Sequence, residues 1–256
     1  MFASAVHAYV RAQMGTAAVH IGPFLASFDS HDDGLFRNYA IPGEHTVPTA
    51  GDVAALVRAF RERNRVPRLE YLPALQHGLE HVLTEAGFTV ERHLPVMVCP
   101  TLPGPAEDPA GVEILLARSD RHLWQAAAAQ NAAYGQAETT VHDKDRLRAT
   151  LDRGGLVALA LDRHTGAGVG AGLCAPPHHG VSELAAIGVR TTHRRRGIAA
   201  ALTVLLTRSG PAAGITTPFL TPAGEAEERI YRSVGYRAAA QMIHISLPPD
   251  RGTLEP

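Results

Sequence analysis

From Glu183 to Leu206 the chain reads ELAAIGVRTTHRRRGIAAALTVLL, an apolar strand, a basic turn and an amphipathic helix in unbroken succession. Ile198, Leu202, Leu205 and Leu206 recur at helical spacing, so one face of that helix must lie on a sheet. A mixed sheet flanked by helices follows, hence an α/β or α+β fold. Within the turn, Arg194, Gly197 and Ala199 satisfy R-x-x-G-x-A, placing the first free main-chain amides of a helix where they can converge on an anion. A Cβ at residue 197 would obstruct a phosphate, and Ala199 keeps the following turn slim. Alone, six residues describe a solvated surface turn better than a ligand site, and it is the flanking strand and helix that make the pyrophosphate cradle the better reading.

The rest of the chain supplies punctuation. Of its 256 residues 45% are hydrophobic, enough for one large domain or two modest ones with real cores. Pro100 to Gly111, PTLPGPAEDPAG, interrupts helix and sheet alike and reads as a linker. Residues 1–110 carry 8 basic and 12 acidic residues and 111–256 carry 16 and 13, so the basic excess lies in the second half. Arg68–Tyr71, Pro73–Ala86 and Thr89–Val98 predict strand, helix and strand. The order returns at Thr216–Leu220, Pro222–Val234 and Arg237–Ser246, with Gly87-Phe88 and Gly235-Tyr236 at an offset of 148 residues. That offset predicts two related halves. Leu156–Leu161 and Ala167–Cys174 around DRHTG predict a hairpin.

The near-neutral charge, 24 basic against 25 acidic residues, gives no global attraction to nucleic acid or an anionic membrane. Cys99 and Cys174 form no ligand or redox motif, and no apolar run approaches the ~18 residues of a spanning helix. The sequence therefore predicts a cytoplasmic protein with no membrane and no nucleic-acid partner. Its oligomeric state is not legible.

The segment Glu183–Leu206, followed by Phe219–Tyr236 with its helical tyrosine and Gly-aromatic pair, resembles the GNAT superfamily of acetyl-CoA-dependent N-acyltransferases over residues 112–247. The resemblance implies acetyl-CoA as acyl donor and a small-molecule or peptide amine as acceptor. It also implies that main-chain groups of Ile187, Gly188 and Val189 meet the pantetheine arm and supply an oxyanion donor. Amides of Arg194, Arg195, Arg196, Gly197, Ile198, Ala199 and Ala200 would hold the pyrophosphate. Similar proteins occur as tandem halves of which one binds cofactor, which casts 1–105 as a degenerate half, 106–111 as linker, 112–247 as catalytic domain and 248–256 as tail. The first half has no R-x-x-G-x-A loop, and its equivalent of Tyr231 is Leu83. Glu225 and Glu228 depart from the family, which often carries Asn and Ala there, and a carboxylate at 225 disfavours a phosphate contact.

Acyl transfer needs a base, an oxyanion donor and an acid for the departing thiolate. Tyr231 is the expected acid. Glu183, which strand parity would put on the face of Ile187 and Val189, is a candidate base, and Glu138 is a second; either could equally be a solvated glutamate. The alternative to an enzyme is a catalytically silent module of the same fold that binds CoA or a partner. His77, Glu80 and His81 spell H-x-x-E-H, but no third ligand is identifiable and no metal is expected. GAGVGAG, Gly166–Gly172, sits in a hairpin strand, where it signals close backbone approach instead of a dinucleotide turn.

Overall fold

The computed structural model describes residues 1–15, 17–29, 34–35, 37–136 and 138–248, so the expected tail lies outside the described residues beyond Pro248. The chain folds into two compact units, Met1–Pro95 with Ala239–Pro256, and Val96–Ala238. The chain enters and leaves the second unit inside strands, at Val96 and Ala238, and not at the proline-rich segment.

In the first unit, α1 (Phe2–Gln13) precedes β1 (Val19–Ile21), β2 (Phe24–Ser27), β3 (Tyr39–Pro42), α2 (Ala50–Arg61), β4 (Arg68–Tyr71) and α3 (Leu79–Glu85). β1, β2 and β3 pair antiparallel and β3 runs parallel to β4. β4 then pairs antiparallel with β11 (Arg237–Ser246), Tyr71 opposite Ile243. Val53, Leu56 and Phe60 of α2 recur at helical spacing and close on Leu69, Tyr71, Ile243 and Ile245 of the sheet, which is why the helix forms where it does. At its start Thr49 Oγ1 accepts from Asp52 N while the Asp52 carboxylate accepts from Thr49 N, so that helix caps itself.

The second unit contributes Val96–Val98 of β5 (Thr89–Val98), then β6 (Val112–Leu116), α4 (Asp120–Tyr134), α5 (Val141–Asp152), β7 (Leu156–Asp162), β8 (Gly168–Cys174), β9 (Val181–Val189), α6 (Ile198–Ser209), β10 (Thr217–Leu220) and α7 (Glu225–Val234). β6, β7, β8 and β9 form an antiparallel ladder. β10 lies parallel to β9 and antiparallel to Met97 and Val98. One core lies on the α6 and α7 side of this sheet, the other on the α4 side with Leu147 of α5. The mixed α+β expectation holds, with seven α-helices among the described residues.

Helix starts differ from the sequence reading, each for a local reason. The helix expected from Pro73 is a 3-10 turn at Pro73–Leu75, and α3 begins only after Gly78, which is left-handed. The helix expected from Pro222 begins at Glu225, because Gly224 is extended and Ala223 N–H is donated to the Glu227 carboxylate. His77 is thereby outside α3, so the H-x-x-E-H spacing does not stack two imidazoles on one helix face. No metal-ligating group of three or more residues occurs among the described residues.

Both helix ends flagged by the 148-residue offset close in the same way. Phe88 N donates to Leu83 O and Tyr236 N to Tyr231 O, both at 3.0 Å, around the left-handed Gly87 and Gly235.

Candidate active site

β9 and β10 set the site. Their parallel pairing covers Val181–Glu183 against Thr217–Phe219, and β9 then runs on to Val189 after β10 has ended at Leu220. Beyond the pairing, β9 bulges. Leu173 stands opposite Ala185 but Ala171 opposite Gly188, so β9 carries one residue more than β8, and Ala186 takes a left-handed φ of 53°.

This bulge overturns the parity argument for Glu183. An extra residue flips the alternation, so Ala185 and Gly188 share one face, that of α4, while Ile187 and Val189 pack in the core on the α6 side. Glu183, two residues before Ala185, belongs to the α4 face, opposite Ile187 and Val189. Thr221 Oγ1 donates to its carboxylate at 3.3 Å, tying it to the loop after β10.

After β9, a 3-10 turn at Thr191–His193 leads into α6, whose N-cap Gly197 has φ 80° and no side-chain cap. Arg195 is left-handed too, at 64°. The first turn of α6 contains no acidic residue, and the amides of Ile198, Ala199 and Ala200 precede the first helical bond, from Ala201 N to Gly197 O. The positive end of the helix dipole is left uncompensated, and a Cβ built on Gly197 would meet nothing within 4 Å. Such an end suits an anion.

The three arginines differ in role. Arg194 donates from Nε to Val189 O and from Nη2 to Ala133 O, both at 3.1 Å, and so pins the loop between β9 and the end of α4. Arg196 reaches Ala110 O at 2.7 Å. The exposed Arg195 side chain makes no hydrogen bond or ion pair with the described residues. From this end a cleft of about 520 Å³ runs between α6 and α7, lined by Gly197, Ala200, Ala201, Val204, Ser233 and Val234 and walled by Pro103–Pro109. A groove of about 1060 Å³ between α2 and α3 is lined by Ala50, Val53, Ala54 and Val57, each 147 positions before a residue of the α6 wall, and by Glu85 and Ala86, each 148 before Ser233 and Val234.

Tyr231 is 8% exposed and packs edge-on against Tyr236, ring centroids 6.4 Å apart. Its hydroxyl makes no hydrogen bond with the described residues. Burial, then the Glu227 carboxylate and the Tyr134 phenol, hold that hydroxyl far above the usual tyrosine range, so it stays protonated at any neutral pH. Glu138 is exposed in the connection between α4 and α5 and makes no hydrogen bond or ion pair with the described residues.

The sequence reading missed Gln130 and Tyr134, whose side chains reach β9 from α4. Two polar residues four apart in the alanine-rich run that ends at Gly135 were the available signal.

The turn before α6 is tied to the end of β7 by Asp162, whose carboxylate accepts from Thr165 N, from His193 at 3.3 Å and from His164 N. The Thr165 amide first, then His193, lowers its pKa to about 2 from an ordinary 3.8. A depressed carboxylate stabilises the fold above its unfolded pKa and loses that contribution as pH falls through the folded one. Asp162→Asn is therefore expected to lower Tm at pH 6, with the gap to the unsubstituted protein narrowing as pH falls from 3.8 through about 2, checked by melting curves across that range.

The sequence matches no protein-family model and no curated protein. Solved structures do match. A GCN5-related N-acetyltransferase from Kribbella flavida superposes with a TM-score of 0.77 and 24% identity, over 98% of this chain and 96% of that one. One from Sphaerobacter thermophilus gives 0.66 and 17%, over 89% and 78%. A tandem GNAT protein from the clavulanic acid biosynthesis pathway gives 0.60 and 12%, over 89% and 79%. At these identities the likeness establishes the fold: the chain has the GNAT N-acetyltransferase fold.

Proposed function

We propose that the protein is an acetyl-CoA-dependent N-acetyltransferase that passes the acetyl group directly to an amine, with its catalytic machinery in the second unit. One observation carries the reading, the contrast between two helix starts. α2 fills its own N-terminus with Thr49 and Asp52, whereas α6 begins on a left-handed glycine with no cap and no acidic residue, beside a strand that has parted from its neighbour. The first is closed to a phosphate and the second is open to one. Repetition of the helix ends and of the groove linings supports the first unit as a degenerate half that has lost this cradle.

In this reading the amides of Arg195–Ala200 hold the pyrophosphate, Arg194 keeps their loop in place, and main-chain groups of Ile187–Val189 meet the acyl arm. The fold family's acetyl-CoA supplies a thioester carbonyl open to attack. As the amine's lone pair forms the C–N bond, a β9 amide stabilises the oxyanion. The C–S bond breaks, Tyr231 protonates the departing sulfur, and the amine's proton leaves to Glu183, directly or through water. Glu183 suits that role better than Glu138 because Thr221 orients its carboxylate.

Calorimetry with acetyl-CoA is expected to give one site per chain, and thiol release with a panel of amines measures turnover. Two equal sites, or none, would overturn the assignment, and binding without turnover of any amine would favour a silent CoA-binding module.

A further inference from the structure

The bulge in β9 needs support. Ala186 sits at φ 53°, a conformation that costs a residue bearing a Cβ, and neither β8 nor β10 pairs with it in the described ladders. Support comes from α4 at two consecutive carbonyls. Gln130 Nε2 donates to Ala186 O at 3.0 Å, and Tyr134 Oη, one helical turn on, donates to Ile187 O at 3.2 Å. The spacing of four residues puts both donors on one side of the helix. The next residue, Gly188, lets α4 close in: a Cβ there would stand 2.8 Å from Ala133 Cβ and 3.3 Å from the Tyr134 ring.

Gln130 is poorly suited to a stabilising role. It is 2% exposed, and its Oε1 is buried without a hydrogen-bond partner. A methionine would fill the same volume and remove the orphaned Oε1, at the cost of leaving Ala186 O without its Nε2 donor. Retaining an amide here makes physical sense for its donor, which reaches the one strained residue of the strand.

We propose that Gln130 and Tyr134 are positioning residues, a two-point clamp that fixes the bulge peptides of β9 so that the amides of Ile187–Val189 face the acyl group. The proposal rests on the reading that the donor's acyl arm lies along β9. Its effect is read at the acyl end of the ligand, because Gln130 and Tyr134 donate to the Ala186 and Ile187 carbonyls of β9, whereas the loop at Arg195–Ala200 has its own ties, from Arg194 to Val189 O and Ala133 O.

The test needs no knowledge of the acceptor. Gln130→Met and Tyr134→Phe each remove one donor and keep the bulk. Calorimetry with acetyl-CoA and with CoA gives, for the unsubstituted protein and each variant, the ratio of the two affinities. The clamp predicts that the unsubstituted protein prefers acetyl-CoA and that each variant loses that preference by about tenfold while binding CoA within about twofold of the original. A variant that keeps the original ratio, or a protein with no acetyl preference to lose, overturns the clamp. If the unsubstituted protein binds neither ligand, the underlying reading itself fails.

Discussion

Tyr231→Phe is expected to lower kcat by about 10²-fold or more while leaving acetyl-CoA affinity within a few fold. The substitution keeps the ring, which packs against Tyr236 and closes the end of α7, and removes only the hydroxyl. That hydroxyl makes no hydrogen bond with the described residues, so its loss orphans no donor or acceptor among them and should barely move Tm. Its raised pKa, from burial first and then from Glu227 and Tyr134, keeps the proton on oxygen through the neutral range and leaves it available as sulfur becomes negative. A purely packing role predicts no kinetic change. Thiol release measured where chemistry limits the rate decides between them, and near-normal turnover by a folded Phe variant removes Tyr231 from the mechanism.

Gly197→Asp is expected to weaken acetyl-CoA binding by at least about 10²-fold. A carboxylate in the cradle faces a bound phosphate, and two unit charges 4 Å apart repel by about 4 kcal/mol at an effective dielectric near 20. The new Cβ projects into space that is otherwise open at the helix start. Asp tolerates left-handed φ better than most residues with a side chain, so the fold should persist with a modest fall in Tm. Gly197→Asn supplies the same shape without the charge and should lose much less affinity, which separates repulsion from obstruction. A folded Asp variant that binds acetyl-CoA normally would show that the pyrophosphate lies elsewhere.

The strand–turn–helix was legible because its signal is local: an apolar strand, R-x-x-G-x-A and an amphipathic helix adjoin in the chain, and the structure realises them at Val181–Val189, Gly197 and Ile198–Ser209. Both Gly-aromatic helix ends were legible for the same reason. The bulge was not. Ala186 carries no mark of left-handed geometry, since its conformation is imposed by side chains 56 and 53 positions away from the carbonyls they bind. Period-two alternation, read through it, put Glu183 on the wrong face. Nor did the turn-forming Pro100–Gly111 mark where the compact units divide, because the divisions fall inside β5, at Pro95, and inside β11, where the chain stays in strand across the boundary.

That division bears on how the molecule is made. The sheet of the first unit takes β4 near the start of the chain and β11 near its end, and the fully buried Arg68 guanidinium meets His244 Nδ1 at 2.8 Å across 176 positions. Domains commonly acquire their structure in the order in which they emerge from the ribosome. Of the two units here, the one begun first is completed last. Until residues 239–246 have been translated, β4 has an open edge, and Leu69 and Tyr71 lack the cover of Ile243 and Ile245. The second unit, by contrast, lacks of its strands only the first two residues of β11, Arg237 and Ala238, once α7 has been made. A nascent chain stalled before β11 therefore carries a nearly finished second unit and, ahead of it in the chain, a sheet with an exposed edge.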